Sequence, residues 1–335
     1  MRNIILNFKH KYLKIYLILT VIITIFSINK LYANANTLVV HTYESFISDW
    51  GPGPKIEEEF EKVCNCDLQF IGIDSSIGIL GRLKLEADET NADIILGLDT
   101  NLLTAAKNTK LLAKHNIDTS KIDLPIKWND EIFVPFDWGH FAFIYNSEKL
   151  KSPPTSFEEL SDDKNSLSLI IQDPRTSTPG LGLLLWVKSI FKENSDKIWE
   201  RLSPKIVTVT KGWSEAYGLF LEGEADLVLS YTTSPAYHIM AEEEKKYKAA
   251  IFNEGHYLQV EVAAITTKGE KNKLSRDFMN FILSENFQSV IPTTNWMFPV
   301  TDIKVPETFE NIPKPEKVLL MDSSLIEKNR KKWIS

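Results

Sequence analysis

Cysteine is almost absent from this 335-residue chain: Cys64 and Cys66, in the tripeptide CNC, are the only two. Two thiolates with no histidine pair beside them do not make a zinc site. A disulfide, a pair of buried thiols and a reactive thiol all remain open. The common catalytic signatures are missing as well. There is no G-x-S-x-G nucleophile turn, no P-loop and no H-E-x-x-H helix. Six histidines, at positions 10, 41, 115, 140, 238 and 256, are scattered without tandem ligand spacing. Basic excess is lacking too, with 38 Lys and Arg against 45 Asp and Glu and a net charge of -7. Such a surface repels nucleic-acid phosphates and mildly favours a cationic ligand.

What basic character there is gathers at the start. Residues 1–35 hold five bases (Arg2, Lys9, Lys11, Lys14 and Lys30) and no acid. Without them the balance is 33 basic against 45 acidic side chains, or -12. The order of basic region, apolar run from Ile15 to Ile28, and Ala33-Asn34-Ala35 reads as a secretory signal peptide over residues 1–35. That run is shorter than the roughly 20 residues a spanning helix needs. No second apolar run of spanning length follows, and no cysteine near the cleavage pattern offers a lipid attachment point. An exported, soluble mature chain is expected in the periplasm.

The rest alternates strand and helix. TLVVHTY (37–43), DLQFIGI (67–73) and ADIILGL (92–98) read as strands. PKIEEEFEKV (54–63) has Pro at a helix start and Ile56, Phe60 and Val63 at helical spacing. Alternation of this kind predicts an α/β fold with mostly parallel sheets, whose ligand crevice lies at the carboxyl ends of the strands. FVPFDWGHFAFIYN (133–146) is too apolar for a loop and is expected to cross between two lobes. The tail should pack a last short helix, Leu325 to Trp333.

Three stretches share one grammar of strand, polar turn and helix. In SLIIQDPRTSTPGLGLLLW, Ser177 and Thr178 precede a helix begun by Pro179; in DLVLSYTTSPAYH, Ser234 is expected to cap a helix begun by Pro235. In VTVTKGWSEAYGLFLEG, Trp213 follows a strand at the start of a helix that stops at Gly223. Trp213, Tyr231 and Tyr237 would project from strand-end turns into one crevice. Tyr43 ends another strand, Trp50 sits in a Gly/Pro turn, and Trp296 lies among Asn, Thr and Pro. Aromatic faces of this number suit a flat, apolar or cationic ligand, each contributing about 0.5–2 kcal/mol toward a desolvated cation. GLGL (180–183) lacks a dinucleotide fingerprint and points instead to close helix packing.

SDWGPGP, CNC, QDPRTSTPGLGLLLW, TVTKGWSEAYGLFL, DLVLSYTTSPAYH, EGHYLQVEVAA and NWMFPV, in this order over the mature chain, closely resemble the periplasmic thiamine-binding proteins of thiamine ABC transporters. The resemblance implies a class II periplasmic binding-protein fold. Its two α/β lobes, residues 36–142 with 264–335 and residues 143–263, would close over thiamine, its monophosphate or its diphosphate. Implied with it are a membrane permease as partner, a monomer, no nucleic-acid partner, no resident cofactor or metal, and no catalysis. The family's ligand contacts fall on Tyr43, Trp50, Ser177, Thr178, Trp213, Tyr231, Thr232, Thr233, Ser234, Pro235, Tyr237 and Trp296. Where the family pattern has Asp-Gly, this chain has Ser75-Ser76 with Asp74 one residue earlier. Either Asp74 replaces that acid through a shifted loop or the contact weakens.

The rings of thiamine are expected against Trp213, Tyr231, Tyr237 and Trp296. Its hydroxyethyl or phosphate arm would point to the turns at Ser177-Thr178 and Thr232-Thr233-Ser234, with Arg175 either beside a phosphate or in a salt bridge. Two rivals share the fold. Thiaminase I uses a cysteine nucleophile, which keeps the CNC thiols in question. Ferric-ion binders use adjacent tyrosines, whereas no YY occurs here and Tyr231 and Tyr237 are six apart.

Overall fold

A computed structural model describes residues 36–335, so the signal peptide expected over residues 1–35 lies outside the described residues. The strands are β1 (Thr37–Tyr43), β2 (Asp67–Ile73), β3 (Ile94–Asp99), β4 (Phe133–Asn146), β5 (Leu169–Gln172), β6 (Ile206–Thr210), β7 (Leu227–Tyr231), β8 (Tyr247–Ala250) and β9 (His256–Ile265). Two-residue strands β10 (Phe298–Pro299) and β11 (Val318–Leu319) complete the set. The main order is β2-β1-β3-β9-β4-β7-β5-β6. β1 runs parallel to β2 and β3, and β5 runs parallel to β6 and β7, which makes two parallel halves.

Between the halves the pairing is antiparallel, β3 with β9, β9 with β4 and β4 with β7. The parallel alternation expected from sequence therefore holds within each half and fails at the centre. There the chain crosses from one half to the other and back. β4, with 14 residues, and β9, with 10, are the longest strands. At about 3.3 Å per residue each reaches far enough to belong to both halves. All ten residues of β9 are buried, which is why its sequence reads as a continuous apolar run broken by Gln259 and Glu261. The residue pairs 142/143 and 263/264 lie inside these two strands.

Each half has its own aromatic core. Phe46, Phe60, Phe136, Phe278 and Phe287 fill the first. Phe143, Phe157, Trp186 and Phe252 fill the second, where the Trp186 indole N–H donates to the Gly255 carbonyl at 2.9 Å. The helix Thr178–Phe191 lies close over β4 and β5. A Cβ on Gly180 would stand 2.4 Å from the Gln172 carbonyl oxygen, and one on Gly182 would stand 2.1 Å from the Phe141 ring. The two glycines of GLGL thus serve close packing, as the sequence suggests.

Helix Gly53–Cys64 carries Pro54 in its first turn and is capped at its C-terminus by Asn65, whose φ of 50° is left-handed, a conformation asparagine tolerates. Cys64 and Cys66 are joined in a disulfide across that turn, which leaves no free thiol in the chain. The last helix spans Ser323–Ile334, with the Asp322 carboxylate accepting from the backbone N–H groups of Ser324 and Leu325.

Candidate functional site

The carboxyl ends of β1 and β2 in one half face those of β5, β6 and β7 in the other. Three side-chain contacts bridge them. The Tyr237 and Trp296 rings meet edge to face with centroids 5.2 Å apart. The Thr233 hydroxyl lies 3.9 Å from the Met297 sulfur. Lys211, past the end of β6, is ion-paired with Asp74, past the end of β2.

The second half supplies the ring wall. Trp213 begins helix Trp213–Glu222; its indole N–H donates to the Ser230 hydroxyl at 2.8 Å, and its ring stacks on Tyr217 with centroids 5.0 Å apart. Tyr217 is held from behind by the buried His238, whose Nε2 lies 2.9 Å from the Tyr217 hydroxyl and whose Nδ1 lies 2.6 Å from Glu242. Burial lowers the pKa of His238, while the Glu242 carboxylate works against that shift. Tyr231 ends β7 with its ring tilted on Phe141 at 5.1 Å and its hydroxyl donating to Gln259 at 3.1 Å.

The hydroxyl-rich turn after β7 differs from its sequence reading. The helix Ser234–Ala241 begins one residue early, so Ser234 is its first helical residue and Thr233 occupies the cap position without a side-chain capping bond. The Ser234 hydroxyl instead bonds the Ser230 hydroxyl at 2.7 Å and accepts from the Tyr231 N–H at 3.2 Å. With its hydroxyl closing the strand-end turn, Ser234 is not free to cap. Pro235 lies in the first turn, as expected. Thr232 is buried; its N–H donates to the His140 carbonyl at 2.9 Å, and its hydroxyl has no protein partner. The Ser177 side chain makes no capping bond, and the Thr178 hydroxyl is buried and unpartnered. Arg175 is tied to Asp173 by two guanidinium nitrogens while its side chain is 72% exposed.

In the first half, the Tyr43 hydroxyl donates to Glu261 at 3.0 Å and accepts from the Asn295 amide at 3.1 Å. Trp296 has φ 56°, rare for a tryptophan, and this left-handed kink places the ring beside Tyr237. Ser75 accepts from the Gly78 N–H at 3.1 Å and caps helix Ser76–Glu86, and Ser76 is buried. Trp50, in the turn before helix Gly53–Cys64, is 52% exposed.

Sequence reasoning passed over the acids behind Tyr43. Glu261 on β9 lies opposite Asp99 on β3 and also opposite Asp137 on β4. All three are buried. Burial pushes all three carboxyls up, Asp99 to about 7, and the Asp137 charge raises Glu261 further. The signal was present: Asp137 is the only charge in FVPFDWGHFAFIYN and Glu261 the only one in HYLQVEVAAI. A lone acid in a buried strand needs a reason. Among the described residues no group of three or more His, Cys, Asp or Glu is arranged to hold a metal ion, and no helix is long and apolar enough to cross a membrane.

A sequence profile of the bacterial extracellular solute-binding proteins matches residues 89–329. The chain belongs to this family. The thiamine-binding periplasmic protein of Salmonella typhimurium is 51% identical over 298 residues, covering 89% of this chain and 91% of that one. Its counterpart in Haemophilus influenzae is 42% identical over 330 residues, 97% of each chain. A solved periplasmic thiamin binding protein superposes with a TM-score of 0.87 at 50% identity, covering 89% of this chain and 94% of that one. The ferric binding protein of Campylobacter jejuni, with a TM-score of 0.71 at 18% identity over 89% of this chain and 97% of its own, shares the fold alone. Two lobes joined by crossing strands are thus the family's periplasmic binding-protein architecture in this chain.

Proposed function

We propose that this protein is the periplasmic substrate-binding component of an ABC importer, taking thiamine into the crevice between its lobes and delivering it to a membrane permease. The observation that carries the reading is an aromatic wall drawn from both halves, Trp213, Tyr231, Tyr237 and Trp296, beside buried carboxyls that favour a cation. Thiamine combines a permanently cationic thiazolium with an aminopyrimidine, and aromatic faces together with negative charge suit both. Relatives at about half identity that are named for thiamine binding support the same ligand.

The monophosphate and diphosphate fit the same reading. The unpartnered Thr178 hydroxyl stands at the start of the 14-residue helix Thr178–Phe191, whose N-terminus favours an anion. Lys211, whose carbonyl accepts from the Thr176 hydroxyl at 2.8 Å, is an exposed cation in the same half beside that turn, although its present partner is Asp74 across the crevice. Asp74 is ion-paired with Lys211 and Ser75 caps its own helix, so a ligand contact by either would exchange with a bond already made. With both cysteines in a disulfide, no thiolate is available for thiaminase-type attack on thiamine. Titration calorimetry with thiamine, its monophosphate and its diphosphate tests the reading. Saturable binding of at least one is expected; no heat and no thermal stabilisation with any of them would overturn it.

A further inference from the structure

Three carboxyls stand in a row across the centre of the sheet, Asp99 on β3, Glu261 on β9 and Asp137 on β4. Their polar surroundings are hydroxyls and amides. Tyr43 on β1 donates to Glu261, Asn295 donates to Asp137 at 2.5 Å, and Asn101 donates to Asp99 through both its backbone and its side chain. Tyr231 on β7 and Tyr257 on β9 feel the negative charge of the row and titrate higher because of burial and of it. The charge of Arg330, on the last helix, acts weakly on Asp99 while its guanidinium lies 3.7 Å from Glu327, and among the described residues none of the three acids is ion-paired with a base. The second oxygen of Asp137, Oδ1, is buried without any partner. Glu261 lies one hydrogen bond behind Tyr43, at the edge of the aromatic crevice, and keeps 6% of its surface open.

Adjacent buried carboxylates do not all ionise together, because desolvation and mutual repulsion both oppose it. One proton shared between Asp137 and Glu261 removes the repulsion and gives the orphaned Oδ1 a partner. A permanent cation in the crevice does the same task without the proton. We propose that Asp137 and Glu261 are specificity-determining residues, a buried counter-charge that selects a cationic ring and releases its shared proton when that ring binds. This inference rests on the function proposed above. The step breaks only one O–H bond. The electron pair stays on the carboxylate, which becomes the counter-ion of the thiazolium, and the proton leaves to solvent past Glu261.

Calorimetry of the intact protein with thiamine near neutral pH, in buffers of different ionisation enthalpy, counts the released protons. About one proton per thiamine is expected, with affinity rising about tenfold per pH unit on the acid side. Thiochrome, an uncharged tricyclic relative of thiamine, should bind without proton release. Glu261→Gln, which imitates the neutral carboxyl, should abolish the release and weaken thiamine about tenfold or more while leaving thiochrome affinity within about twofold. Asp137→Asn is the second variant should Glu261→Gln fail to fold, and the wild-type proton count decides independently of both. Tight thiamine binding with equal apparent enthalpy in every buffer would overturn the counter-charge and leave the proposed function standing. Undiminished proton release in both variants would overturn it equally. Absence of thiamine binding altogether would overturn the proposed function, and this inference with it.

Discussion

Trp213→Ala probes the ring wall at its most constrained member. The indole is fixed twice, by the N–H bond to Ser230 at 2.8 Å and by stacking on Tyr217 at 5.0 Å. It therefore offers a preset face, and little is lost to ordering when a ligand stacks on it. Removing an aromatic face from a desolvated cation costs about 2 kcal/mol, a factor of roughly thirty in affinity for thiamine. Trp213→Phe separates face from donor. It keeps a ring over Tyr217 and gives up the N–H, while Ser230 retains its bond to Ser234. A lost neutral hydrogen bond is worth about 1 kcal/mol, so the phenylalanine variant should weaken thiamine about fivefold or less. Isothermal calorimetry gives both affinities, and thermal melting of the ligand-free variants checks that the fold survives. Stacking on Trp213 is refuted if alanine leaves the affinity unchanged. It is refuted also if phenylalanine costs as much as alanine, since the contact would then be the indole N–H and not the ring face.

Removing the hydroxyls of Ser177 and Thr178 together should weaken the phosphate esters more than thiamine, because a charge-assisted bond is worth about 1.5–3 kcal/mol against about 1 for a neutral one; equal losses by calorimetry would place the phosphate elsewhere. Gly182→Ala sets a methyl 2.1 Å from the Phe141 ring and should destabilise the protein by about 1–3 kcal/mol, read by urea denaturation. Replacing Cys64 and Cys66 together by alanine should leave thiamine affinity unchanged in a binding titration, and thiamine cleavage by the wild type but not by this variant would instead reveal a thiol enzyme. The pH dependence of stability carries a defined sign. A carboxyl raised by folding contributes stability at low pH that is lost as pH climbs from the ordinary carboxylate range through its folded value, near 7 for Asp99. Burial lowers His140 and His256 to about 4, so they lose stability in the opposite direction, as pH falls from about 6.5. The two effects oppose each other in one window, and the difference isolates the acids. The melting temperature of ligand-free Asp137→Asn minus wild type should become more positive as pH rises from about 4 to 7, and a flat difference would contradict the assignment.

Much was legible in the residues themselves. Periodicity located the strands, and Pro54, Pro179 and Gly223 marked helix ends, because these signals are local and act through φ, ψ and the backbone hydrogen bonds of a few neighbours. FVPFDWGHFAFIYN announced a buried crossing strand because a strand covered on both faces reads as a nearly continuous apolar run. Turn chemistry was less reliable: Ser234 had the composition of a cap, yet its hydroxyl serves Ser230 and Tyr231 in the strand-end turn.

What the sequence alone determined, then, is the address, the two α/β units and the set of aromatic side chains on strand-end turns. Which of them meet was decided by tertiary structure. Tyr237 and Trp296 are 59 positions apart and touch only because the crossing strands bring the two halves face to face, whereas Trp50, equally promising in its local context, stays half exposed. The acid row is the clearest case. Asp99, Asp137 and Glu261 come from three distant segments, and each alone is an ordinary carboxyl. Antiparallel register sets them side by side in the dry centre of the sheet, and the low local dielectric turns their proximity into a demand for a proton or a cation. Register between distant strands is a property of the whole packed sheet, which no single segment encodes.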